Sequence, residues 1–195
     1  LAIIYSDKGA DELVFLDITA TVEKRKTLVE LVQRVAANIN IPFTVGGGIS
    51  RVQDVALLLQ NGADKISVNT AAFNNPKLIE DLSNEYRSQC VVLAIETKKE
   101  EDGEWYVYLN GGRTKTSTKT VHWAKQAVDL GAGEILLTSM NNDGTKNGFA
   151  LDITQLLATS LRAPVIASGG AGTMEHFKKV FEEGRADAAL AASIF

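Results

Sequence analysis

The sequence predicts an α/β fold whose sheet is built mainly from parallel strands, and hydrophobic periodicity is the first observation behind this prediction. Short, continuously apolar runs alternate along the chain with longer stretches in which apolar residues recur at helical spacing. Continuous hydrophobicity in such short runs is typical of parallel strands that are buried on both faces. The predicted strands are residues 13–16, 43–45, 65–68, 90–95, 134–138, 164–167 and 188–192.

An internal repeat is the second observation. Three segments of the first half return in the same order in the second half, at an offset of 122 or 123 residues. The matching pairs are residues 9–16 with 131–138, 46–49 with 168–172, and 64–71 with 187–194. The repeat indicates two homologous halves in which a small polar loop follows the same strand. Such an arrangement suits a ligand that carries a similar group, such as phosphate, at both ends.

Seven strands with a twofold repeat predict a (βα)8 TIM barrel, which we expect to form one domain over residues 1–195 with a half-barrel boundary near residues 75–100. The run of residues 105–109, followed by Asn110-Gly111, predicts a β-hairpin inserted after the fourth strand. The seven strands divide as three, one and three across the repeat. We therefore expect the first strand and the last helix of the barrel to be missing from this chain.

Composition narrows the class of protein. The net charge is −4, and no block of like charge is present, which argues against a protein that binds nucleic acid or a membrane surface.

We expect Cys90, the single cysteine, to be a buried strand residue, and its lone thiol fits a reducing cytoplasm. His122 and His176 fall on predicted helices, and His176 is expected to be a surface or capping residue. No metal-ligand spacing is visible, so we expect neither a metal nor a cofactor.

Glycine-rich loops after two of the predicted strands are candidate anion sites. Residues 46–48 and 169–172 leave backbone N–H groups uncovered, so an anion can approach closely. Each loop lies beside a neighbouring strand end, Asn69-Thr70 in one half and Ala192-Ser193 in the other. These pairs supply polar donors and the start of a short helix, as at the phosphate sites of barrels. The alternative is that the glycines only form tight turns.

Two acidic residues near strand ends are further candidates. Asp143-Gly144 follows the strand at 134–138, where it forms either a turn or a ligand contact beside the second glycine loop. Glu96 directly follows the strand at 90–95, a position that suits a general acid or base. The alternative for Glu96 is a solvated loop carboxylate beside Lys98 and Lys99.

Taken together, these motifs resemble the cyclase subunit of imidazole glycerol phosphate synthase, the HisF family. The resemblance covers the whole chain. It is carried by DELVFLDITA at 11–20, FTVGGGI at 43–49, DKISVNTAA at 64–72, GEILLTSM at 133–140 with DGT at 143–145, and ASGGAGTMEHF at 167–177.

The resemblance implies a lyase of histidine biosynthesis. Such a cyclase converts PRFAR, a ribonucleotide with a phosphate at each end, to imidazole glycerol phosphate and AICAR. The ammonia comes from a HisH-like glutaminase that forms a heterodimer with the cyclase. By motif match, one phosphate would contact Gly48, Asn69 and Thr70. The other phosphate would contact Asp143, Gly144, Gly170, Ala192 and Ser193. The ammonia gate would include Glu12, Lys65 and Glu134.

The sequence departs from the family pattern at the catalytic residues. The family uses two aspartates, of which one would precede Leu1 and the other should stand where this chain has Glu96. Asn141 also occupies a position where an aspartate is usual. We therefore expect Glu96 to be the catalytic residue and the chain as given to be impaired. The alternatives are the sister phosphoribosyl isomerase of the same pathway and a non-catalytic barrel fragment whose exposed sheet edges pair with other chains.

Overall fold

A computed structural model describes residues 1–16, 24–192 and 194 of the chain. Contacts between residues divide the chain into two compact units, Leu1–Val92 and Leu93–Phe195. Each unit is built from parallel strands that alternate with helices. None of the helices in the described residues is long and apolar enough to cross a membrane.

The first unit contains three parallel strands in the order β1-β2-β3. All four residues of β2 are buried, including Phe43 and Val45, and Ile66 of β3 is fully buried as well. Both faces of β2 are buried, as expected of a parallel strand inside a sheet, and the buried residues include the small polar Thr44 and, in β3, Ser67. The elements are α1 (Ala2–Asp7), β1 (Leu13–Leu16), α2 (Lys24–Ala36), β2 (Phe43–Gly46), α3 (Val52–Gln60), β3 (Lys65–Val68), α4 (Thr70–Asn74), α5 (Lys77–Tyr86) and a 3-10 turn (Ser88–Cys90).

The second unit contains three parallel strands in the order β7-β8-β9, and β4 is the neighbour of β7. Its elements are β4 (Val91–Lys99), which begins in the first unit, β5 (Trp105–Leu109), β6 (Thr114–Lys119), α6 (Thr120–Asp129), β7 (Glu134–Ser139), α7 (Leu151–Ser160), β8 (Val165–Ser168), α8 (Met174–Glu182) and β9 (Ala188–Leu190).

The predicted hairpin is present, but it is larger than expected. β5 pairs antiparallel with the second half of β4, from Glu96 opposite Tyr108 to Lys99 opposite Trp105, and β6 pairs with β5. The predicted end of the fourth strand at residue 95 is therefore wrong, because β5 supplies a pairing partner for the next four residues. Cys90 was also misplaced: it lies half-buried in the 3-10 turn before β4.

The internal repeat extends to individual hydrogen bonds. In the first half, the Asp64 carboxylate accepts a bond from the Phe43 N–H at 2.8 Å, and the Asp64 N–H donates to the Phe43 carbonyl at 2.8 Å. In the second half, Asp187 makes the same two bonds to Val165, at 2.9 and 3.0 Å. Each aspartate precedes a strand and ties it to the start of its parallel neighbour.

Strand register repeats as well. Leu13 is aligned with Phe43 in the first half, and Ile135 is aligned with Val165 in the second. The alternation of parallel strands and helices in both units is that of the (βα)8 barrel fold, which confirms the predicted fold class. The expectations of a single domain and of a half-barrel boundary near residues 75–100 stay predictions.

Replacing either aspartate by alanine should destabilise the fold. Asp64→Ala leaves the N–H of the buried Phe43 without its acceptor, so the free energy of unfolding in urea should fall by about 1–3 kcal/mol. Asp187→Ala should cost a similar amount because it breaks the equivalent bond. Asp64→Asn keeps an acceptor oxygen and should lose less. An Asp64→Ala protein as stable as Asp64→Asn would contradict this role.

Candidate functional site

The first glycine loop begins where three strands approach closely. A Cβ on Gly46 would lie 2.8 Å from a methyl group of Leu16 and 2.8 Å from the Ser67 Cβ, so no side chain fits there. Gly47 and Gly48 follow with φ of 102° and 64°, in the left-handed region that glycine adopts most easily. The loop therefore leaves β2 in a tight turn, with Gly48 exposed.

The neighbouring strand brings Asn69 and Thr70 to the same edge. Gly46 is aligned with Ser67, which puts Gly48 and Asn69 two residues beyond an aligned pair. Thr70 begins α4, and the Asn69 carbonyl accepts the first bonds of that helix while its side chain makes no capping bond. The structure thus gathers Gly48, Asn69 and Thr70 at the carboxyl ends of β2 and β3.

The second glycine loop has the same geometry. Gly169 and Gly170 have φ of 88° and 103°, and the alignment of Ser168 with Leu190 puts Gly170 and Ala192 two residues beyond an aligned pair. These positions are the repeat equivalents of Gly48 and Asn69. Ser193, the remaining predicted contact, lies outside the described residues.

Gly170 also has a packing role. A Cβ on Gly170 would lie 2.0 Å from the Gly148 carbonyl oxygen, and the Gly148 N–H donates to the Gly170 carbonyl at 2.8 Å. The Asn142 side chain donates to the same Gly148 carbonyl at 2.8 Å. The loop after β7 is therefore held against the loop after β8, and Gly170 is required for this packing.

Asp143 and Gly144 lie on the loop after β7. The Asp143 N–H donates to the Ser139 carbonyl at 2.9 Å, so the backbone forms the predicted turn. The Asp143 side chain is exposed, and a Cβ on Gly169 would lie 3.3 Å from the Asp143 Cβ. The structure therefore brings Asp143 to the second glycine loop.

His176 is a capping residue, as the sequence predicts. It lies three residues after Thr173, the N-cap of α8, and its Nδ1 accepts a hydrogen bond from the Gly172 N–H at 3.1 Å. A side chain at this position reaches back over the start of its helix, as in a capping box. His176 thereby stabilises the end of the second glycine loop.

Glu96 lies within β4 and is half-buried, so the prediction that it directly follows the strand is wrong, and it is not the solvated loop carboxylate of the alternative. Side chains alternate along a strand. The neighbouring Thr97 is buried and bonds to Thr120 of α6, which places Glu96 on the opposite face of β4. Its Oε2 accepts a hydrogen bond from the Gly112 N–H at 2.9 Å. Sequence reasoning missed Gly112, although two adjacent glycines in a predicted hairpin turn were visible.

Asn141 connects the loop after β7 to the end of β4 through two hydrogen bonds. Its Oδ1 accepts a bond from the Lys99 N–H at 2.9 Å, and its Nδ2 donates to the Lys99 carbonyl at 3.4 Å. A carboxylate could make the first of these bonds but not the second, because it has no donor. This is the structural consequence of asparagine at a position where the resemblance leads us to expect aspartate.

An open cavity of about 400 Å³ lies beside Asn141 and is also lined by Lys99, Trp105 and Asp152. The Lys99 ammonium lies 2.8 Å from the Asp152 carboxylate, and the Trp105 indole N–H donates to it at 3.3 Å. Burial disfavours the charged form of Asp152. Hydrogen bonds from Lys99, the Ile153 N–H and Trp105 outweigh that effect and hold the pKa of this carboxyl group below its ordinary value of 3.8.

The predicted ammonia-gate residues lie at the opposite, amino-terminal ends of the strands. The Lys65 ammonium, at the first residue of β3, lies 2.9 and 3.1 Å from the two carboxylate oxygens of Glu12, just before β1. The Lys65 side chain is only 15% exposed, so this pair is partly shielded from solvent. Glu134 is the first residue of β7 and the repeat equivalent of Glu12, while Ala188 stands at the equivalent of Lys65.

Gly170→Ala should be more destabilising than Gly144→Ala. Both glycines have positive φ, so both substitutions strain the backbone, but a Cβ on Gly144 would have no atom within 4 Å. The clash with Gly148 should add about 1–3 kcal/mol to the loss in unfolding free energy of Gly170→Ala. Chemical denaturation of the two variants measures the difference. Equal losses would mean that the two loops do not pack as described.

Asp152 should contribute stability that depends on pH. Because its pKa is lowered in the folded state, its ionised form stabilises the fold above the ordinary value of 3.8, and this contribution is lost as the pH falls through the folded pKa. The difference in unfolding free energy between the wild type and Asp152→Asn should therefore shrink on acidification. A difference that is constant with pH would contradict the Lys99–Asp152 interaction.

Comparison with known proteins identifies the family. The model of a family described as histidine biosynthesis protein matches residues 1–195. The imidazole glycerol phosphate synthase subunit HisF of Flavobacterium johnsoniae is 60% identical over 195 residues, which are 100% of this chain and 77% of the relative. HisF of Cytophaga hutchinsonii is 59% identical with the same coverage. HisF of Bacteroides thetaiotaomicron is 59% identical over 98% of this chain and 76% of the relative. The chain therefore belongs to the histidine biosynthesis family, among its HisF members.

Proposed function

We propose that this chain is the cyclase subunit of an imidazole glycerol phosphate synthase. In this reaction, ammonia closes the imidazole ring of PRFAR, and imidazole glycerol phosphate and AICAR are released. One observation carries the proposal beyond family membership: each half of the repeat holds a glycine loop and a neighbouring strand end in the same register. A substrate with a phosphate at each end requires two such sites.

The two phosphate sites are proposed at the carboxyl ends of the strands. In the first, backbone N–H groups near Gly48 and the start of α4 at Asn69 and Thr70 would donate to the phosphate oxygens. In the second, the loop at Gly170 and the exposed Asp143-Gly144 turn lie together. The proposed contacts there are Asp143, Gly144, Gly170, Ala192 and Ser193.

Glu96 is proposed as the general acid or base of ring closure. It is a half-buried carboxylate on the face of β4 opposite to the one that meets α6, and a backbone N–H holds one of its oxygens. A carboxylate held in this way can take a proton from the attacking amine and return it to a leaving group.

The ammonia route is proposed at the opposite ends of the strands. The Glu12–Lys65 pair at the amino-terminal ends of β1 and β3, together with Glu134 of β7, would form the gate. A HisH-like glutaminase is the proposed heterodimer partner and source of ammonia. The lone cysteine supports a reducing, cytoplasmic location. No observation favours the sister isomerase or a non-catalytic fragment, and the relatives compared are all named HisF.

The test of this function is turnover of PRFAR with an ammonium salt, combined with calorimetric titration of the bisphosphate. Glu96→Gln should retain binding but lose turnover by about 10²–10⁴-fold, because the amide cannot transfer the proton. Glu96→Asp restores the side chain usual in the family. If the extra methylene of Glu96 displaces the carboxylate, Glu96→Asp should raise turnover by up to about 100-fold.

Glu104→Gln is the matched control, because Glu104 is an exposed hairpin carboxylate paired with Lys119. It should leave turnover unchanged. If the wild type binds the bisphosphate but does not turn over PRFAR, the chain is a phosphate-binding scaffold without cyclase activity. Full activity of Glu96→Gln would exclude Glu96 as the acid–base group, and absence of both binding and turnover would overturn the proposed function.

A further inference from the structure

We propose that Gly112 is a positioning residue for Glu96. The inserted hairpin would bring the Gly112 backbone N–H to one oxygen of the Glu96 carboxylate and leave the other oxygen to exchange a proton with the substrate. The inference rests on the proposed acid–base role of Glu96. It gives the hairpin a function in the reaction rather than in folding alone.

The hairpin turn is shaped to deliver this N–H group. Asn110, Gly111 and Gly112 have φ of 57°, 66° and 78°, so three successive residues are left-handed and the chain turns back sharply. Glu96 is aligned with Tyr108, four residues before Gly112. The turn that follows β5 therefore lies near β4, the strand with which β5 pairs. The Gly112 nitrogen is 2.9 Å from Glu96 Oε2. Within the described residues, this is the hydrogen bond that reaches the carboxylate.

Residue 112 has a left-handed backbone, which favours glycine, and it lies against the end of the Met140 side chain. A Cβ at this position would lie 2.5 Å from the Met140 Cε and 3.2 Å from its sulfur. Met140 directly follows β7, and its N–H donates to the carbonyl of Thr97, the neighbour of Glu96, at 2.8 Å. A side chain at 112 would therefore displace either the end of the Met140 side chain or the turn that carries the Gly112 N–H.

This anchor matters more for glutamate than for aspartate. Glutamate has one more rotatable bond, so more side-chain freedom is lost when its carboxylate is held in one place. Misplacement of a reacting group by about 1 Å can cost about 100-fold in rate. A fixed backbone donor reduces the conformations available to Glu96 before the substrate binds.

The hydrogen bond can be tested without any activity, by NMR of the intact chain. The Gly112 amide resonance of the wild type should differ clearly from that of Glu96→Gln, because the substitution replaces the carboxylate that accepts the Gly112 hydrogen bond. The Gly111 amide is the internal control and should respond much less. A Gly112 resonance that does not differ between the wild type and Glu96→Gln would overturn the proposal, whether or not the chain is a cyclase.

Kinetics test the positioning role. Gly112→Ala should lower kcat by about 10–100-fold with little change in KM, because the displaced donor no longer holds the carboxylate. Gly111→Ala is the matched variant: Gly111 has a similar φ, but its Cβ would have no atom within 4 Å, so kcat should stay within a few-fold of wild type. Adding Met140→Ala to Gly112→Ala makes room for the new Cβ and should restore part of the rate.

The loss of kcat in Gly112→Ala must also depend on Glu96. In a Glu96→Gln background, Gly112→Ala should cause no further loss, because the group that it positions is already inactive. Equal losses in Gly111→Ala and Gly112→Ala, or the same loss with and without Glu96, would reduce Gly112 to a structural turn residue. If the wild type shows no cyclisation, the proposed function fails, and the NMR comparison still decides whether Gly112 holds Glu96.

Discussion

Strand register is the constraint on which the candidate sites depend, and in each half an aspartate at the start of a strand holds it. Asp64 and Asp187 each close a two-bond ring with the first residue of the preceding parallel strand. A slip by one residue would turn every side chain of a strand to its other face. This register puts Gly48 and Asn69, and likewise Gly170 and Ala192, two residues beyond the last aligned pair. Two similar candidate sites therefore arise because one structural unit occurs twice.

The glycines of the candidate sites have a structural role in the backbone besides the role proposed for them in binding. Gly170 is required because the Gly148 carbonyl occupies the space of a side chain, and Gly46 because β2 lies so close to Leu16 and Ser67. The same lack of a Cβ that permits this packing also leaves N–H groups accessible to a phosphate. Binding and packing are thus not competing explanations at these positions. Gly144, whose missing Cβ would meet open space, is favoured there by its backbone conformation and not by packing.

The hairpin breaks the symmetry of the two halves. By pairing with the second half of β4, it keeps Glu96 in a regular strand and adds a turn that reaches the carboxylate. Asn141 attaches the following loop to the end of the same strand through both its donor and its acceptor. The departures from the family pattern, glutamate at 96 and asparagine at 141, therefore lie in one connected region of the second unit.

The sequence by itself determined the order of strands and helices, the repeat, the glycine loops and the family, because periodicity and repetition can be recognised from short segments of neighbouring residues. The starts of the seven strands first predicted lie within one residue of those observed. The end of β4 was not predicted, because residues 96–99 are polar and become a strand only by pairing with β5. Only the tertiary structure joined Gly112 to Glu96, Asn141 to Lys99 and Gly148 to Gly170. These contacts bridge 16, 42 and 22 residues of chain, and no local pattern encodes them.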